Sequence, residues 1–250
     1  MEEKKKKYNE KDNKKNKKKI NKIIIFIIVL SITIILIGTY IFIKKKELKN
    51  QYIYQNKGNL IFSYPEGVDK PIIYLYPKEK IELSVKLGKP ENIKVSYPEY
   101  RNGWDIIAKP DGTLIDKKTN RKLYALYWEG INDIQNSRKD EGFVIKGTDT
   151  IKFLEDKLKI LGLNEKESEE FIIYWLPKLE KNKYNYIRFA TMEEIEEYMP
   201  LNISEKPDSL IRILMEFKPL DKKIDIKEQI LKTPERKGFT VVEWGGTEIR

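Results

Sequence analysis

The chain contains neither cysteine nor histidine. These two absences exclude disulfide bonds, a Ser-His-Asp triad, a cysteine nucleophile and a zinc site of the usual His/Cys type. An enzyme with this composition would depend on paired carboxylates, a serine–lysine pair, tyrosine or an oxygen-ligated metal. The absences count against an enzyme without excluding one, and we expect no cofactor and no metal site.

Excess positive charge is confined to the start of the chain, although the net charge of the whole is +10. Residues 1–50 hold 15 of the 49 Lys and Arg residues and 5 of the 39 Asp and Glu residues, and the remaining 200 residues hold 34 of each. Nucleic-acid-binding domains carry their basic patch on the folded body. A nucleic-acid partner is therefore not expected.

One apolar run dominates the sequence, over residues 23–43, with lysines at both ends. As a helix it would be about 31 Å long, which matches the roughly 30 Å hydrocarbon core of a bilayer. It is longer than the apolar region of a signal peptide, and no small-x-small cleavage pattern follows it. The sequence predicts a single uncleaved transmembrane helix in the lipid bilayer, with a cleaved signal peptide as the alternative.

The distribution of lysine around this run predicts its orientation. Eleven lysines precede it and four follow it closely, within residues 44–49. Lysine-rich flanks stay in the cytoplasm, so we expect a single-pass protein of the cell membrane with its C-terminal domain outside. The basic tail, residues 1–22, is expected to be disordered. It either sets topology alone or also attracts anionic lipid headgroups.

A polar juxtamembrane linker is predicted at residues 44–58, followed by an extracytoplasmic domain over residues 59–250. Alternating apolar residues and turn signals predict many short strands in that domain. They fall at residues 60–64, 71–77, 81–87, 93–97, 104–108, 113–115, 123–128, 184–189, 209–217 and 239–244. The early strands suggest a sandwich or barrel-like unit, and a sub-domain boundary is possible near residues 132–142.

Helical signals fall in the middle of this domain. Residues 149–161 and 191–198 read as helices, the second with a capping box, and a short helix is predicted over 165–170. Residues 171–176 are apolar on every face and precede Pro177. We interpret them as a strand in a hairpin with 184–189; a helix continuing to Leu176 is the alternative. The predicted fold is a strand-rich α+β domain with two or three helices, preceded by a transmembrane helix.

Two segments place an acid beside tryptophan and glycine, Trp128-Glu129-Gly130 and Glu243-Trp244-Gly245. If Glu129 and Glu243 met in one cleft, they would form a carboxylate pair able to hydrolyse a glycosidic bond. The alternative is that the tryptophans anchor a core and the acids are solvated or ion-paired.

Aromatic side chains are the other candidates for binding a ligand, because they stack on sugars and on extended peptides. Aromatic residues on strands also commonly fill a core. The candidates for ligand binding are Trp104, Tyr127, Trp128, Trp175 and Trp244, within a larger group that includes Tyr97, Tyr100, Tyr124 and Tyr174.

Four strings in the domain are distinctive: KPIIYLYP at residues 70–77, YWEG at 127–130, YWLP at 174–177 and FTVVEWGG at 239–246. They resemble a group of bacterial exported or membrane-anchored proteins whose activity is not established. The resemblance implies one continuous outside domain and assigns no site residue.

These features lead to one principal expectation and two alternatives. We expect a membrane-anchored protein whose outside domain binds a cell-envelope ligand, either carbohydrate or protein. One alternative is a carboxylate-dependent hydrolase of wall glycan, and the other is an envelope assembly or structural factor.

Overall fold

The computed structural model describes residues 53–56, 59–62, 67–131 and 140–249. The predicted tail, 1–22, and transmembrane helix, 23–43, lie outside these residues, and no helix inside them is long and apolar enough to cross a membrane. The chain divides into two compact units, residues 1–64 and 65–250. In the first unit, β1 (Ile53–Asn56) and β2 (Asn59–Phe62) pair as an antiparallel hairpin.

The described part of the second unit is rich in strands and includes three helices. The helices are α1 (Thr150–Ile160), α2 (Glu165–Leu179) and α3 (Met192–Tyr198). The strands are β3 (Gly67–Tyr76), β4 (Ile81–Leu87), β5 (Ile93–Tyr97), β6 (Trp104–Ala108), β7 (Leu114–Asp116), β8 (Lys122–Leu123), β9 (Leu126–Ile131), β10 (Glu141–Lys146), β11 (Tyr184–Phe189), β12 (Leu201–Ile203), β13 (Ser209–Leu220), β14 (Lys227–Glu228) and β15 (Thr240–Glu248).

Two sheets organise this unit. The larger sheet has eight strands in the order β14-β10-β11-β13-β15-β3-β9-β5, and the smaller has five in the order β12-β4-β6-β7-β8. Strand β15 pairs in parallel with β13 and antiparallel with β3, so the last strand of the chain lies in the interior of the larger sheet. The strand-rich α+β class expected from the sequence is confirmed for this unit.

Alternating side chains of the larger sheet enter two separate cores. Val241 of β15 belongs to a core shared with the smaller sheet and α3, which we call the sheet–sheet core. Its neighbours Val242 and Trp244 belong to a core shared with α1 and α2, which we call the helix–sheet core. This division follows from the two-residue period of a strand, and it fixes which site residues can meet.

Strands from early and late parts of the sequence share the larger sheet. Strand β9 precedes residues 132–142 and β10 lies at their end, and both belong to this sheet. The predicted strands at 81–87, 93–97 and 104–108 coincide with β4, β5 and β6, and the expected hairpin joins β6 to β7.

The prediction of a strand at residues 171–176 is wrong, because these residues lie within α2. Asn164 and Glu167 form a capping box, which starts the helix firmly. Phe171, Trp175 and Leu179 then recur every four residues and are fully buried against the sheet. Pro177 is tolerated because it is exposed in the last turn of the helix. Strand β11 pairs instead with β10 and β13.

Two adjacent glycines in β15 allow close packing on both sides. A Cβ atom on Gly245 would lie 3.1 Å from the ring of Pro71, which belongs to β3. A Cβ atom on Gly246 would lie 2.6 Å from the indole of Trp175 and 2.8 Å from the carbonyl oxygen of Met215. The glycines therefore bring α2 and β3 onto β15, and three of the four distinctive strings meet here.

Replacing Gly246 by alanine should destabilise this packing, because a backbone carbonyl cannot move aside as a flexible side chain can. We expect Gly246→Ala to lower the free energy of unfolding by about 1–3 kcal/mol, measured by urea denaturation with tryptophan fluorescence. Gly245→Ala is the matched control and should cost less, because its closest contacts are 3.1–3.2 Å away. Equal losses in both variants would contradict the proposed close packing.

Candidate functional site

Glu243 is buried among charged and aromatic partners in the sheet–sheet core. It lies on β15 directly opposite Arg212 of β13, whose Nε donates to its Oε2 at 2.6 Å. The indole Nε1 of Trp128 donates to its other carboxylate oxygen at 3.0 Å. Arg212 also donates to Glu196 and to the carbonyl of Met199. Both oxygens of the Glu243 carboxylate are thus occupied by donors from the protein.

The space beside this carboxylate is too small for a substrate. A cavity of about 10 Å³ lies between Trp128, Arg212, Tyr198 and Glu243. This volume accommodates roughly one water molecule. Glu243 therefore has no room for a sugar ring.

Glu129 does not meet Glu243. Tyr127 packs at the helix–sheet core, and Glu129 lies two residues further along β9, so both face that side of the sheet. Trp128 faces the sheet–sheet core, where it contacts Glu243. The structure separates the two candidate carboxylates by the thickness of the sheet and joins Glu243 to Arg212 instead. The paired-carboxylate geometry that a glycosidase requires is absent for these two residues.

The four tryptophans are core residues. Trp104 and Trp128 are 2% exposed, and Trp175 and Trp244 are fully buried. The Nε1 atom of Trp104 donates to the carbonyl of Pro98 at 2.8 Å. Of the five principal candidates for ligand binding, which are these tryptophans and Tyr127, only the half-buried Tyr127 reaches the surface.

A group of tyrosines lies at the surface on the helical side of the larger sheet. Tyr97 of the edge strand β5 is 46% exposed and stands directly opposite Tyr127 of β9. Tyr124, just before β9, is 53% exposed, and the half-buried Tyr174 belongs to α2. Directly opposed residues on antiparallel strands have Cβ atoms about 5 Å apart. We call these four side chains, with Lys70, the tyrosine surface.

One flank of α2 borders this surface with polar side chains at every fourth position. Lys166 lies over the ring of Tyr124, with its Nζ 4.4 Å from the ring centroid. Glu170 accepts a hydrogen bond of 2.7 Å from the hydroxyl of Tyr74. Lys178 donates to Asp69 at 2.6 Å and to the Tyr174 hydroxyl at 3.0 Å. Helix α2 thus places the ring of Tyr174 beside the exposed edge of the sheet. Its polar side chains there are Lys166, Glu170 and Lys178.

Lys70 completes the surface from a distorted part of β3. Its φ is 53°, in the left-handed region that residues other than glycine rarely adopt. The pairing of β3 with both neighbours, β15 and β9, is irregular around this residue. Its Nζ lies 4.7 Å from the centroid of the Tyr174 ring. Irregular strand pairing of this kind re-aims side chains, and strained residues cluster at functional sites.

Three groups at or beside this surface, Tyr127, Tyr174 and Lys178, have shifted pKa values. Burial, together with the nearby Glu129, raises the pKa of Tyr127. Burial likewise raises the pKa of Tyr174, although Lys178 opposes it. For Lys178, burial acts to lower the pKa, but hydrogen bonds to Asp69 and Tyr174 outweigh it and raise the pKa. At neutral pH Tyr127 and Tyr174 are therefore neutral and Lys178 is a cation.

An open cleft of about 420 Å³ lies elsewhere, between β10, α1 and residues 223–228. Lys157 on its wall pairs with Glu228 at 3.3 Å and covers the ring of Phe143. None of the candidate residues from the sequence lines this cleft.

The sequence pointed to part of this site. Tyr97, Tyr124, Tyr127 and Tyr174 were all among the aromatic residues singled out, but the tryptophans beside them in sequence face the cores. Lys70 and Lys178 were missed. Residues four apart are neighbours on a helix, so a helix predicted through residue 178 would have placed Lys178 beside Tyr174.

Comparison of the chain with family models, with curated proteins and with solved structures gives no significant match.

A substitution at Glu243 separates a structural role from a catalytic one. Glu243→Ala leaves the buried Arg212 without its main partner, and we expect the free energy of unfolding to fall by about 3–5 kcal/mol. Glu129→Ala, at a half-buried position on the same sheet, is the control and should cost under about 1 kcal/mol. Chemical denaturation of both variants measures the difference. A stable Glu243→Ala protein would refute the structural assignment.

Proposed function

We propose that the chain is a single-pass membrane protein whose outside domain binds an extended carbohydrate of the cell envelope at the tyrosine surface. The observation that carries this proposal is the set of four tyrosines that reach the surface beside α2, two of them about half exposed and two half-buried, where three strands and a helix converge. Sugar rings stack on aromatic faces and hydrogen-bond through their hydroxyl groups. The tyrosine surface offers both kinds of contact.

The shape of the surface favours an extended ligand over a small molecule. Val95 and Tyr97 on β5 are 49% and 46% exposed, so the helical side of the sheet is open at this edge. Small-molecule sites bury most of the ligand in a concave pocket. An open strip of tyrosines suits a chain of sugar units, each contributing a modest contact.

The rim supplies polar groups of both signs. Asp69, Glu129, Lys70 and Lys178 surround Tyr127 and Tyr174. Carboxylates accept hydrogen bonds from sugar hydroxyls, and ammonium groups donate to them. This combination supports carbohydrate over an apolar protein segment as the ligand.

The membrane location rests on residues 23–43 and on the lysines around them. An anchor of this kind would hold residues 65–250 close to the outer face of the membrane, within reach of wall polymers. The hydrolase alternative finds no support, because Glu129 and Glu243 face opposite sides of the sheet. No specific observation favours an assembly factor.

Truncation of the two most exposed tyrosines tests the proposed site. We expect the double variant Tyr97→Ala, Tyr124→Ala to bind purified bacterial wall polysaccharide about tenfold or more weakly than wild type, because it loses two stacking contacts. Binding is measured by co-sedimentation with the full chain in detergent micelles.

The control for this experiment is Tyr184→Ala on β11. Tyr184 is half-buried and lies four strands from β9, roughly 19 Å away at about 4.8 Å per strand. Its loss should leave binding unchanged. If the wild-type protein does not co-sediment with the polysaccharide, the proposed function is wrong. If the double variant binds as strongly as wild type, the binding site is not the tyrosine surface.

Protease treatment of intact cells tests the orientation. With tags at both ends of the chain, we expect added trypsin to digest the C-terminal tag and the body while the N-terminal tag survives until the cells are permeabilised. The physical reason is the lysine excess before residue 23, which opposes translocation of the tail. Survival of the body in intact cells, followed by digestion after permeabilisation, would reverse the predicted topology.

A further inference from the structure

We propose that the edge of β10 binds an extended peptide segment of a partner protein, which adds to the larger sheet as a strand. This interaction surface lies towards the opposite edge of the sheet from the tyrosine surface, and the inference does not depend on the proposed function. Five strand spacings separate β10 from β9, roughly 24 Å at about 4.8 Å per strand. Both surfaces can therefore be occupied at the same time.

Strand β14 covers only the first part of the β10 edge. It pairs in parallel with Glu141 and Gly142, and the chain leaves β10 directly after it. The next residue, Gln229, bonds instead to β11, where its side-chain amide accepts from the N–H of Phe189 and donates to the carbonyl of the same residue. Among the residues that the structure describes, no strand lies beside residues 143–146 on this side.

Backbone groups of β10 point to this uncovered edge at alternate residues. The carbonyl of Gly142 accepts a hydrogen bond of 3.3 Å from the β14 side, whereas the N–H of Gly147 donates to the chain just before β11 at 3.4 Å. The even-numbered residues of β10 therefore direct their N–H and C=O groups away from β11. The N–H and C=O of Val144 and the N–H of Lys146 are left at the edge without a partner in the described part of the chain.

The pairing of β14 indicates which kind of ligand fits this edge. It shows that the edge accepts a strand, in the parallel direction, over the two residues that precede the uncovered stretch. An extended peptide presents backbone donors and acceptors at the spacing that the uncovered groups of β10 require. Peptides that add to a sheet edge gain affinity from these backbone bonds and specificity from pockets for alternate side chains.

The open cleft beside this edge supplies room for such side chains. Its volume is about 420 Å³, and it lies between β10, α1 and residues 223–228. Each of these three elements contributes apolar side chains to its lining, which are Phe143, Ile145, Phe153, Ile224 and Ile226. Because strand residues alternate between faces, every second side chain of an added strand would lie beside Phe143 and Ile145, on the side of the cleft.

The charged groups of the cleft do not favour a peptide of one sign. Lys157 pairs with Glu228 at 3.3 Å, and Lys223 and Asp225 both line the cleft. The inferred ligand is therefore defined by an extended backbone and by apolar side chains at alternate positions.

Synthetic peptides of about eight residues test the inference, each alternating threonine with valine, isoleucine, leucine or phenylalanine. Fluorescence anisotropy measures their binding to the full chain in micelles, with the signal of empty micelles subtracted. We expect at least one peptide to bind. Methylation of one alternate set of its backbone nitrogens should weaken binding about tenfold or more, and methylation of the other set should leave it unchanged, because only one edge of an added strand faces β10.

Variants of the protein locate the site. Val144→Pro removes the N–H at the edge without removing a bond to β11, and we expect it to lose about tenfold or more of the peptide affinity. Val144→Ala keeps that N–H and should bind as wild type does. Ile224→Asp places a carboxylate in the cleft and should weaken binding by a similar factor. Its matched control is Ile173→Asp, at a position on α2 that is 65% exposed and does not line the cleft.

The other outcomes overturn the inference. Failure of every peptide to bind, equal effects of the two methylation patterns, or equal losses in the variants and their controls would each do so. Dimers of the wild-type chain that Val144→Pro dissociates, measured by light scattering, would identify a second copy as the occupant instead. If Val144→Pro lacks a cooperative thermal transition, the methylated peptides and the Ile224→Asp variant decide the question.

Discussion

The close approach of α2 to β15 at Gly246 sets the layout of the helical side of the domain. Trp175 packs where a Cβ atom on that glycine would stand, which holds the helix above β15 and β3. Strand β9 still reaches the helix–sheet core through the half-buried Tyr127, whereas the edge strand β5 leaves Val95 and Tyr97 about half exposed. The exposed part of the helical side is therefore the edge of the sheet that lies furthest from the contact between Trp175 and Gly246.

The opposite face of the sheet is governed by buried charge. Arg188 on β11 stands opposite Glu216 on β13, and Arg212 on β13 stands opposite Glu243 on β15. Helix α3 adds Glu194 to the first arginine. Desolvation of such ions is costly, and removal of one partner leaves the other charge unpaired in the core. These pairs specify the register of three strands, which accounts for an acid in the middle of an otherwise apolar β15.

The sequence predicted local structure well where a single pattern decided it. The strict alternation of apolar and polar residues specifies the strand β4, and the capping box specifies the start of the helix α3. Residues 171–176 were misassigned because Pro177 outweighed the four-residue recurrence of Phe171 and Trp175, and because a segment apolar on all faces has no period to read. The contacts of Trp175 with Gly246 and Phe217 favour a helix in that segment. These partners lie about 40 to 70 residues away in the sequence, so they leave no local signal.

The same reasoning explains why the site was only partly predicted. Within YWEG, the tyrosine and glutamate face the helical side while the tryptophan between them binds Glu243 on the other. Because successive side chains of a strand point to opposite faces of the sheet, the residues of this motif divide into two groups with different roles. The tryptophans then build the domain, and the tyrosines and lysines beside them remain at the surface. The tyrosines that the pleat leaves at the exposed sheet edge are the groups on which the proposed binding of carbohydrate rests.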